Sequence, residues 1–176
     1  MLKGLVVYDS VTGSTEKMAM AIGHGMQRTG LDVGIKHVKD ALLSELVSAD
    51  AVVLGSPTYF ANMTNRMKRF IDESVKIYRD NLGLKDKIGA AFTSSKGLGS
   101  EMTLLSLILA MFVHGMVIVG HQSGELGAVS LGRPDEKCIA ECEAFGERIG
   151  NLAKVLRPRV HRVKENRNTV KSATGI

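Results

Sequence analysis

Short apolar runs alternate along this chain with longer segments in which apolar residues recur at helical spacing. The runs predict five β-strands, at residues 2–8, 32–38, 50–56, 87–93 and 116–120. All but the second are almost continuously apolar or small, which is typical of strands buried on both faces of a sheet. The segments between them predict helices over residues 15–28, 63–78, 101–113 and 135–156.

The strict alternation of strands and helices predicts an α/β protein in which helices cover both faces of a parallel sheet. Five strands favour a flavodoxin-like doubly wound sheet of order 2-1-3-4-5, in three layers, over the six-stranded dinucleotide-binding fold. In either fold a ligand lies beyond the carboxyl ends of the strands. Chemistry is therefore expected in residues 9–15, 57–62, 94–101 and 121–134.

The distribution of charge divides the chain into two parts. Its 176 residues carry a formal net charge of +5, and residues 157–176 contain six Lys or Arg against one Glu, so residues 1–156 are neutral. We therefore predict one domain over 1–156 and a basic C-terminal tail over 157–176. The tail lacks aromatic residues for base stacking, so we expect no nucleic-acid partner.

The cysteines and histidines indicate neither a disulfide scaffold nor a metal site. Only Cys138 and Cys142 occur, four residues apart on a predicted helix, where no disulfide framework can be built. The five histidines show no metal-ligand spacing with cysteines or paired acids. We expect a cytoplasmic protein without a membrane span, because no stretch reaches the ~20 apolar residues that a span requires.

The loop after the first strand contains four hydroxyl side chains and one glycine, and passes directly into a predicted helix. The N-terminus of a helix presents unpaired N–H groups that suit a phosphate, and hydroxyls add further donors. Because an ordinary helix cap uses one hydroxyl, we favour a phosphate site over a simple cap. The residues of this predicted site are Ser10, Thr12, Gly13, Ser14 and Thr15. The loop contains neither a Walker A lysine nor a GxGxxG motif.

Two further loops and one histidine are candidate ligand contacts. After the third strand the candidates are Pro57, Thr58, Tyr59, Phe60 and Asn62. After the fourth strand they are Thr93, Ser94, Ser95, Gly97, Leu98 and Gly99. An amide and two aromatic rings suit a flat ligand, and the glycines allow close backbone approach. The alternative is that the two aromatics only close the sheet edge, and His114, judged alone, is more often a structural residue.

These motifs resemble those of known flavoproteins. The run Ser-x-Thr-Gly-x-Thr in residues 10–15 is similar to the FMN-phosphate loop of flavodoxins. Residues 55–63 and 67–72 resemble the flavin-ring loop of the WrbA-type NAD(P)H:quinone oxidoreductases. Segments 92–95, 101–105 and 114–119 extend that likeness, which covers residues 3–156.

The resemblance implies an FMN-dependent oxidoreductase that passes hydride from NADH or NADPH, through flavin N5, to a quinone or another small acceptor. It also implies that His114 lies beside the flavin as the catalytic candidate, and that the protein is a homodimer or homotetramer. The segment 103–113 is apolar nearly all round and independently favours association, unless neighbouring helices cover it.

Two other functions stay open at this point. One is a flavodoxin-like electron carrier that serves protein partners, although the neutral domain and the absence of Trp argue against it. The other is a flavin-free interaction domain. Bound flavin would exclude the latter, and reduction by NADH or NADPH without a partner would exclude the former.

Overall fold

The computed structural model describes residues 1–79 and 83–174, and within this part of the chain it shows six strands and six helices. The strands are β1 (Lys3–Tyr8), β2 (Asp32–His37), β3 (Ala51–Pro57), β4 (Ile88–Ser95), β5 (Val117–Ile118) and β6 (Ala128–Leu131). They form one parallel sheet of order β2-β1-β3-β4-β5, in which β6 also pairs with β4. The predicted flavodoxin-like fold and its strand order are confirmed.

Helices cover both faces of the sheet. They are α1 (Ser14–Arg28), α2 (Leu43–Ser48), α3 (Asn65–Glu73), α4 (Val75–Arg79), α5 (Ser100–Val113) and α6 (Glu136–Thr174). One hydrophobic cluster joins the sheet to α1 and α6, and a second joins it to α2, α3, α4 and α5. Side chains of a strand alternate between faces, so Val6 enters the first cluster and Val7 the second.

The edge of the sheet departs from the sequence prediction. Only Val117 and Ile118 of the predicted fifth strand pair with β4, and Val117 is 43% exposed, so this strand is not buried on both faces. Val119 still donates its N–H to the carbonyl of Gly89 at 2.8 Å, but residues 120–127 leave the ladder. The chain then returns as β6, which pairs with β4 from Phe92 to Ser95. The predicted helix over 63–78 is two helices, separated at Ser74, and α2 was not predicted.

The last helix continues past the predicted domain boundary at residue 156. Its backbone is helical to Thr174, whereas side chains are described only to residue 156, so the predicted basic character of the tail lies outside the described residues. Across the described ranges, none of the helices combines the length and apolar character needed to cross a membrane. The same ranges contain no group of three or more His, Cys, Asp or Glu that could hold a metal ion.

Candidate functional site

Three loops meet at the carboxyl edge of the sheet. We call them the phosphate loop (10–15, after β1), the ring loop (57–63, after β3) and the glycine loop (95–99, after β4). Thr15 Oγ1 lies 2.8 Å from Ser94 Oγ, and the N–H of Thr58 donates to the carbonyl of Ser94 at 2.8 Å. A methyl group at Gly99 would lie 2.7 Å from the Cα of Ala61, so the ring and glycine loops also touch. The predicted loops therefore form one continuous surface.

The phosphate loop ends at a helix N-terminus that no described side chain caps. Gly13 is the N-cap residue of α1, with φ of 86°, and a side chain placed there would meet no atom within 4 Å. Ser10 Oγ accepts the N–H of Gly13 at 3.1 Å, which fixes the curve of the loop. The first N–H groups of α1 therefore lack a side-chain acceptor, which makes them candidate donors to an anion.

The hydroxyls of this loop fall into two groups. Thr15 is 1% exposed, and its hydroxyl bonds Ser94 inside the protein. Thr12 and Ser14 make no side-chain hydrogen bond to any residue in the described ranges. Thr12 and Ser14 therefore have hydroxyls free for a ligand, and Ser10 Oγ, which accepts the N–H of Gly13, keeps its own proton to donate. Thr15 joins the phosphate loop to β4.

The ring loop is a tight turn with an exposed aromatic side chain at its tip. Tyr59 and Asn62 exchange two backbone hydrogen bonds, of 2.9 and 3.0 Å. Between them Phe60 and Ala61 both adopt left-handed backbone conformations, with φ of 49° and 59°. L-residues pay roughly 1–2 kcal/mol for this conformation, and such strain concentrates at ligand sites. Phe60 is fully exposed, so the turn presents its ring to solvent.

A buried network of threonine hydroxyls supports the ring loop. Thr58 Oγ1 lies 2.9 Å from Thr93 Oγ1 and donates to Thr103 Oγ1 at 2.9 Å. Thr93 Oγ1 donates to the carbonyl of Ser56 at 2.7 Å, and Pro57 is buried as the last residue of β3. Thr58 and Thr93 were predicted as ligand contacts, but their hydroxyls join the loop to β4 and α5.

The glycine loop brings a second uncapped helix N-terminus to the same edge. Ser95 Oγ donates to the carbonyl of Gly97 at 2.7 Å and accepts its N–H at 2.9 Å. Gly99, with φ of 95°, is the N-cap of α5, and no side chain of the described residues caps that helix. Leu98 is almost fully exposed beside it. Backbone N–H groups and an apolar side chain are what this loop offers to a ligand.

Asp9 is a buried charge at this edge to which the sequence analysis gave no role. Its carboxylate is fully buried and accepts hydrogen bonds from Thr64 Oγ1 at 2.5 Å and from Arg66 Nε at 3.1 Å, with Arg66 Nη2 at 2.9 Å. His37 Nδ1 accepts the N–H of Lys39, so its Nε2 carries the proton and donates to Asp9 at 3.1 Å. Burial alone would raise the pKa of Asp9, but the Arg66 and Thr64 hydrogen bonds hold it below its ordinary value.

This network connects the phosphate and ring loops. Thr64 is the N-cap of α3, where its hydroxyl also accepts the N–H of Met67, and the ring loop leads directly into that helix. Asp9 follows β1 and precedes the phosphate loop. The sequence does contain a signal for Asp9, because a carboxylate directly after a buried strand is unusual enough to indicate a role.

The structure does not bring His114, the predicted catalytic candidate, together with the three loops. It is the residue after α5, and the 14 residues of that helix separate it from the glycine loop by about 20 Å. Its Nε2 lies 2.8 Å from Ser74 Oγ, its ring packs edge-on against Tyr78, and it lines a cavity of about 20 Å³. Burial lowers its pKa, as expected for a neutral structural histidine.

Comparison with known proteins agrees with this site. Residues 40–127 match the family model described as NADPH-dependent FMN reductase. A protein of Archaeoglobus fulgidus named NAD(P)H dehydrogenase (quinone) is 32% identical across 89% of this chain and its own full length. A flavodoxin of Clostridium saccharobutylicum is 32% identical across 87% of this chain and 98% of its own. The crystal structure of a WrbA-like flavodoxin from Agrobacterium tumefaciens superposes with a TM-score of 0.77, at 27% identity, over 89% of this chain and 99% of that one.

Proposed function

The chain belongs to the NADPH-dependent FMN reductase family of flavodoxin-like proteins, and we propose that it is an FMN-dependent oxidoreductase that carries reducing equivalents from NADH or NADPH to a quinone or another small acceptor. The observation that carries this proposal is the uncapped N-terminus of α1. It lies beside the free hydroxyls of the phosphate loop, at the same edge of the sheet as the turn that exposes Phe60. The relative named NAD(P)H dehydrogenase (quinone) supports the choice of acceptor.

The residues of the phosphate loop fit the terminal phosphate of FMN. The hydroxyls of Ser10, Thr12 and Ser14 and the first N–H groups of α1 would donate hydrogen bonds to the dianion. The positive end of the helix dipole adds to this attraction without any Lys or Arg. The buried Thr15–Ser94 hydrogen bond keeps the loop in position against β4 before a ligand arrives.

The ring and glycine loops fit the flat flavin ring. Tyr59 and Phe60 offer aromatic faces, while Asn62 offers its side-chain amide and Gly99 its backbone N–H to a polar ring edge. The threonine network below the ring loop keeps these groups in a fixed orientation. FMN supplies the hydride chemistry when it is bound, so the protein contributes binding, orientation and exclusion of water.

Flavin binding is tested by comparing FMN with riboflavin. Replacing Thr12 by Val and Ser14 by Ala removes two donors to the phosphate, each worth about 1.5–3 kcal/mol when charge-assisted. The double variant should bind FMN roughly 10²–10⁴-fold more weakly, while riboflavin binding changes little. Ser48→Ala, on the remote helix α2, is the control. Equal losses for both flavins, or recovery of FAD from the purified protein, would contradict the proposal.

The quinone reductase activity is tested on the FMN-loaded protein. We expect NADH or NADPH to bleach the flavin absorbance without any protein partner, and a quinone to restore it. The second candidate function is that of an electron carrier. The similarity to the flavodoxin of Clostridium saccharobutylicum favours it, since that flavodoxin matches this chain over almost the whole flavodoxin length. Bleaching that requires a partner reductase would support the carrier and reject the oxidoreductase.

We further propose that the protein is a cytoplasmic homodimer or homotetramer. One face of α5 exposes five apolar side chains, namely Met102, Leu105, Leu109, Phe112 and Val113. A continuous apolar stripe on a surface helix marks an association site, and closed symmetric assemblies are the usual result. The free thiols of Cys138 and Cys142 are in keeping with a reducing compartment.

Light scattering tests the assembly. A mass near the chain mass of 19.0 kDa at micromolar concentration would reject it. Leu109→Glu should dissociate the oligomer, because it places a charge in the middle of the stripe. Leu126→Glu is the matched control, since Leu126 is also partly exposed (43%) but does not belong to α5.

A further inference from the structure

Arg66 is a cation at the carboxyl edge of the sheet to which the proposed function gives no role. It lies in the first turn of α3, two residues after the N-cap Thr64. Its Nε lies 3.1 Å and its Nη2 2.9 Å from Oδ1 of the fully buried Asp9. A guanidinium that is bound through two of its nitrogens is held in one orientation.

The same guanidinium keeps free donors at the surface. Arginine has five N–H groups, and Asp9 accepts two of them, one on Nε and one on Nη2. The others, both on Nη1 and one on Nη2, make no hydrogen bond to any residue that the structure describes. The side chain is 39% exposed, so these donors are accessible to an anion from solution.

The free donors lie beside the ring loop and do not duplicate the phosphate loop. The hydrogen bond with Asp9 is the main cause of a raised pKa for Arg66, and Tyr59 of the ring loop lies near enough to add to that rise. Met67, the next residue, packs on the face of the sheet that α3 covers, whereas the phosphate loop leads into α1 on the opposite face. The anion that suits Arg66 is therefore not the one that suits the phosphate loop.

We propose that Arg66 binds a phosphate group of the nicotinamide dinucleotide, an inference that rests on the proposed function. Of the substrates in that reaction the quinone is neutral, whereas NADH and NADPH carry a pyrophosphate, and NADPH carries a further 2′-phosphate. Arginine binds such groups through parallel hydrogen bonds from its planar fork. Because Arg66 follows the ring loop so closely along the chain, a dinucleotide whose nicotinamide is at that loop can bring a phosphate to it.

The test measures kcat and KM of the FMN-loaded protein for NADPH and for NADH, at a saturating quinone concentration. Arg66→Gln removes charge-assisted donors, so KM should rise by roughly 10–100-fold while kcat changes little. Arg66→Lys keeps the charge but loses the fork, so it should restore part of the affinity. It also retains a cation beside Asp9, and it therefore decides the question if Arg66→Gln does not fold.

Arg28→Gln is the matched control. Glu143 and Glu147 bind Arg28 as Asp9 binds Arg66, but Arg28 lies in the last turn of α1, at the end of the helix remote from the phosphate loop. A reductant without phosphate, N-methyl-1,4-dihydronicotinamide, should bleach the flavin at the same rate in every variant.

Comparison of the two dinucleotides identifies the phosphate. A rise in KM for NADPH alone would assign Arg66 to the 2′-phosphate, and equal rises for both would assign it to the pyrophosphate. Titration calorimetry with NADP⁺ and NAD⁺ should give the same pattern of lost affinity without turnover.

The inference and the proposed function fail in different ways. The same KM in Arg66→Gln, Arg66→Lys and Arg28→Gln would overturn the inference alone. A loss of FMN affinity with unchanged dinucleotide affinity would also overturn it, since Arg66 would then serve the flavin. If neither dinucleotide bleached the flavin of the wild type, the proposed function would be rejected together with the inference.

Discussion

Replacing Asp9 by Asn is the most informative perturbation of the candidate site. The carboxylate is fully buried, and its partners are Thr64, Arg66 and the Nε2–H of His37. Asparagine preserves the size of the side chain and one oxygen, but it replaces the other oxygen with an NH2 group. That group is a donor, so it faces donors on Arg66 or Thr64 in place of an acceptor.

The expected loss of stability follows from the burial of each partner. Removing one member of a fully buried ion pair costs about 3–5 kcal/mol, mainly because the other charge stays buried and unpaired. The Arg66 side chain is 39% exposed and can regain water, which reduces that penalty. We therefore expect a loss of about 2–3 kcal/mol, which corresponds to roughly 4–12 °C in Tm for a domain of this size.

Denaturant unfolding of the flavin-free protein measures this loss without any contribution from a ligand. The matched control is Asp72→Asn, the same chemical change at an exposed carboxylate paired with Lys68 four residues away on α3. Such surface pairs contribute about 0.2–1 kcal/mol. If Asp9→Asn lost no more stability than Asp72→Asn, the carboxylate would not connect the two loops as the structure indicates.

Three further predictions follow from the same geometry. The pKa of Asp9 is lower in the folded protein than its ordinary value of 3.8. The ionised carboxylate therefore stabilises the fold fully above pH 3.8, and this contribution is lost as the pH falls further. Acid unfolding of the wild type compared with Asp9→Asn will show the loss. Gly99→Ala should lower Tm, because it forces an alanine to φ of 95° and places a methyl group 2.7 Å from Ala61. Thr15→Val should destabilise the flavin-free protein by about 1–3 kcal/mol in urea, since it leaves Ser94 unpaired, whereas Thr12→Val should change it by less than about 0.5 kcal/mol.

The central strands could be predicted from the sequence because burial on both faces removes nearly every polar residue from them. Strands β1, β3 and β4 therefore stand out as apolar runs, and the loops that follow them were located correctly. The fifth run is equally apolar, yet only two of its residues pair with β4. The length of an edge strand depends on the residue at which the chain stops pairing with its neighbour. The apolar pattern of the sequence does not indicate that residue.

The contacts of individual polar side chains were the part of the site that sequence could not supply. The pattern placed Asp9 at a strand end, but its partners Thr64 and Arg66 lie more than fifty residues away along the chain. The separation of His114 from the three loops has the same origin. A helix that begins at the carboxyl edge of a parallel sheet ends at the opposite edge, so a residue just after α5 lies far from the ring loop of the same chain.

The hydroxyl-rich loops combine two roles that residue type alone does not distinguish. Thr15, Ser94, Thr58 and Thr93 bond one another or the adjoining backbone inside the protein. Thr12 and Ser14 leave their hydroxyls without such partners. Buried hydroxyls must be paired, because an unpaired one costs about 1–3 kcal/mol, and those pairs fix the loops before any ligand binds. A loop fixed in this way loses less conformational freedom when a ligand arrives, so the buried threonines raise affinity without touching the ligand.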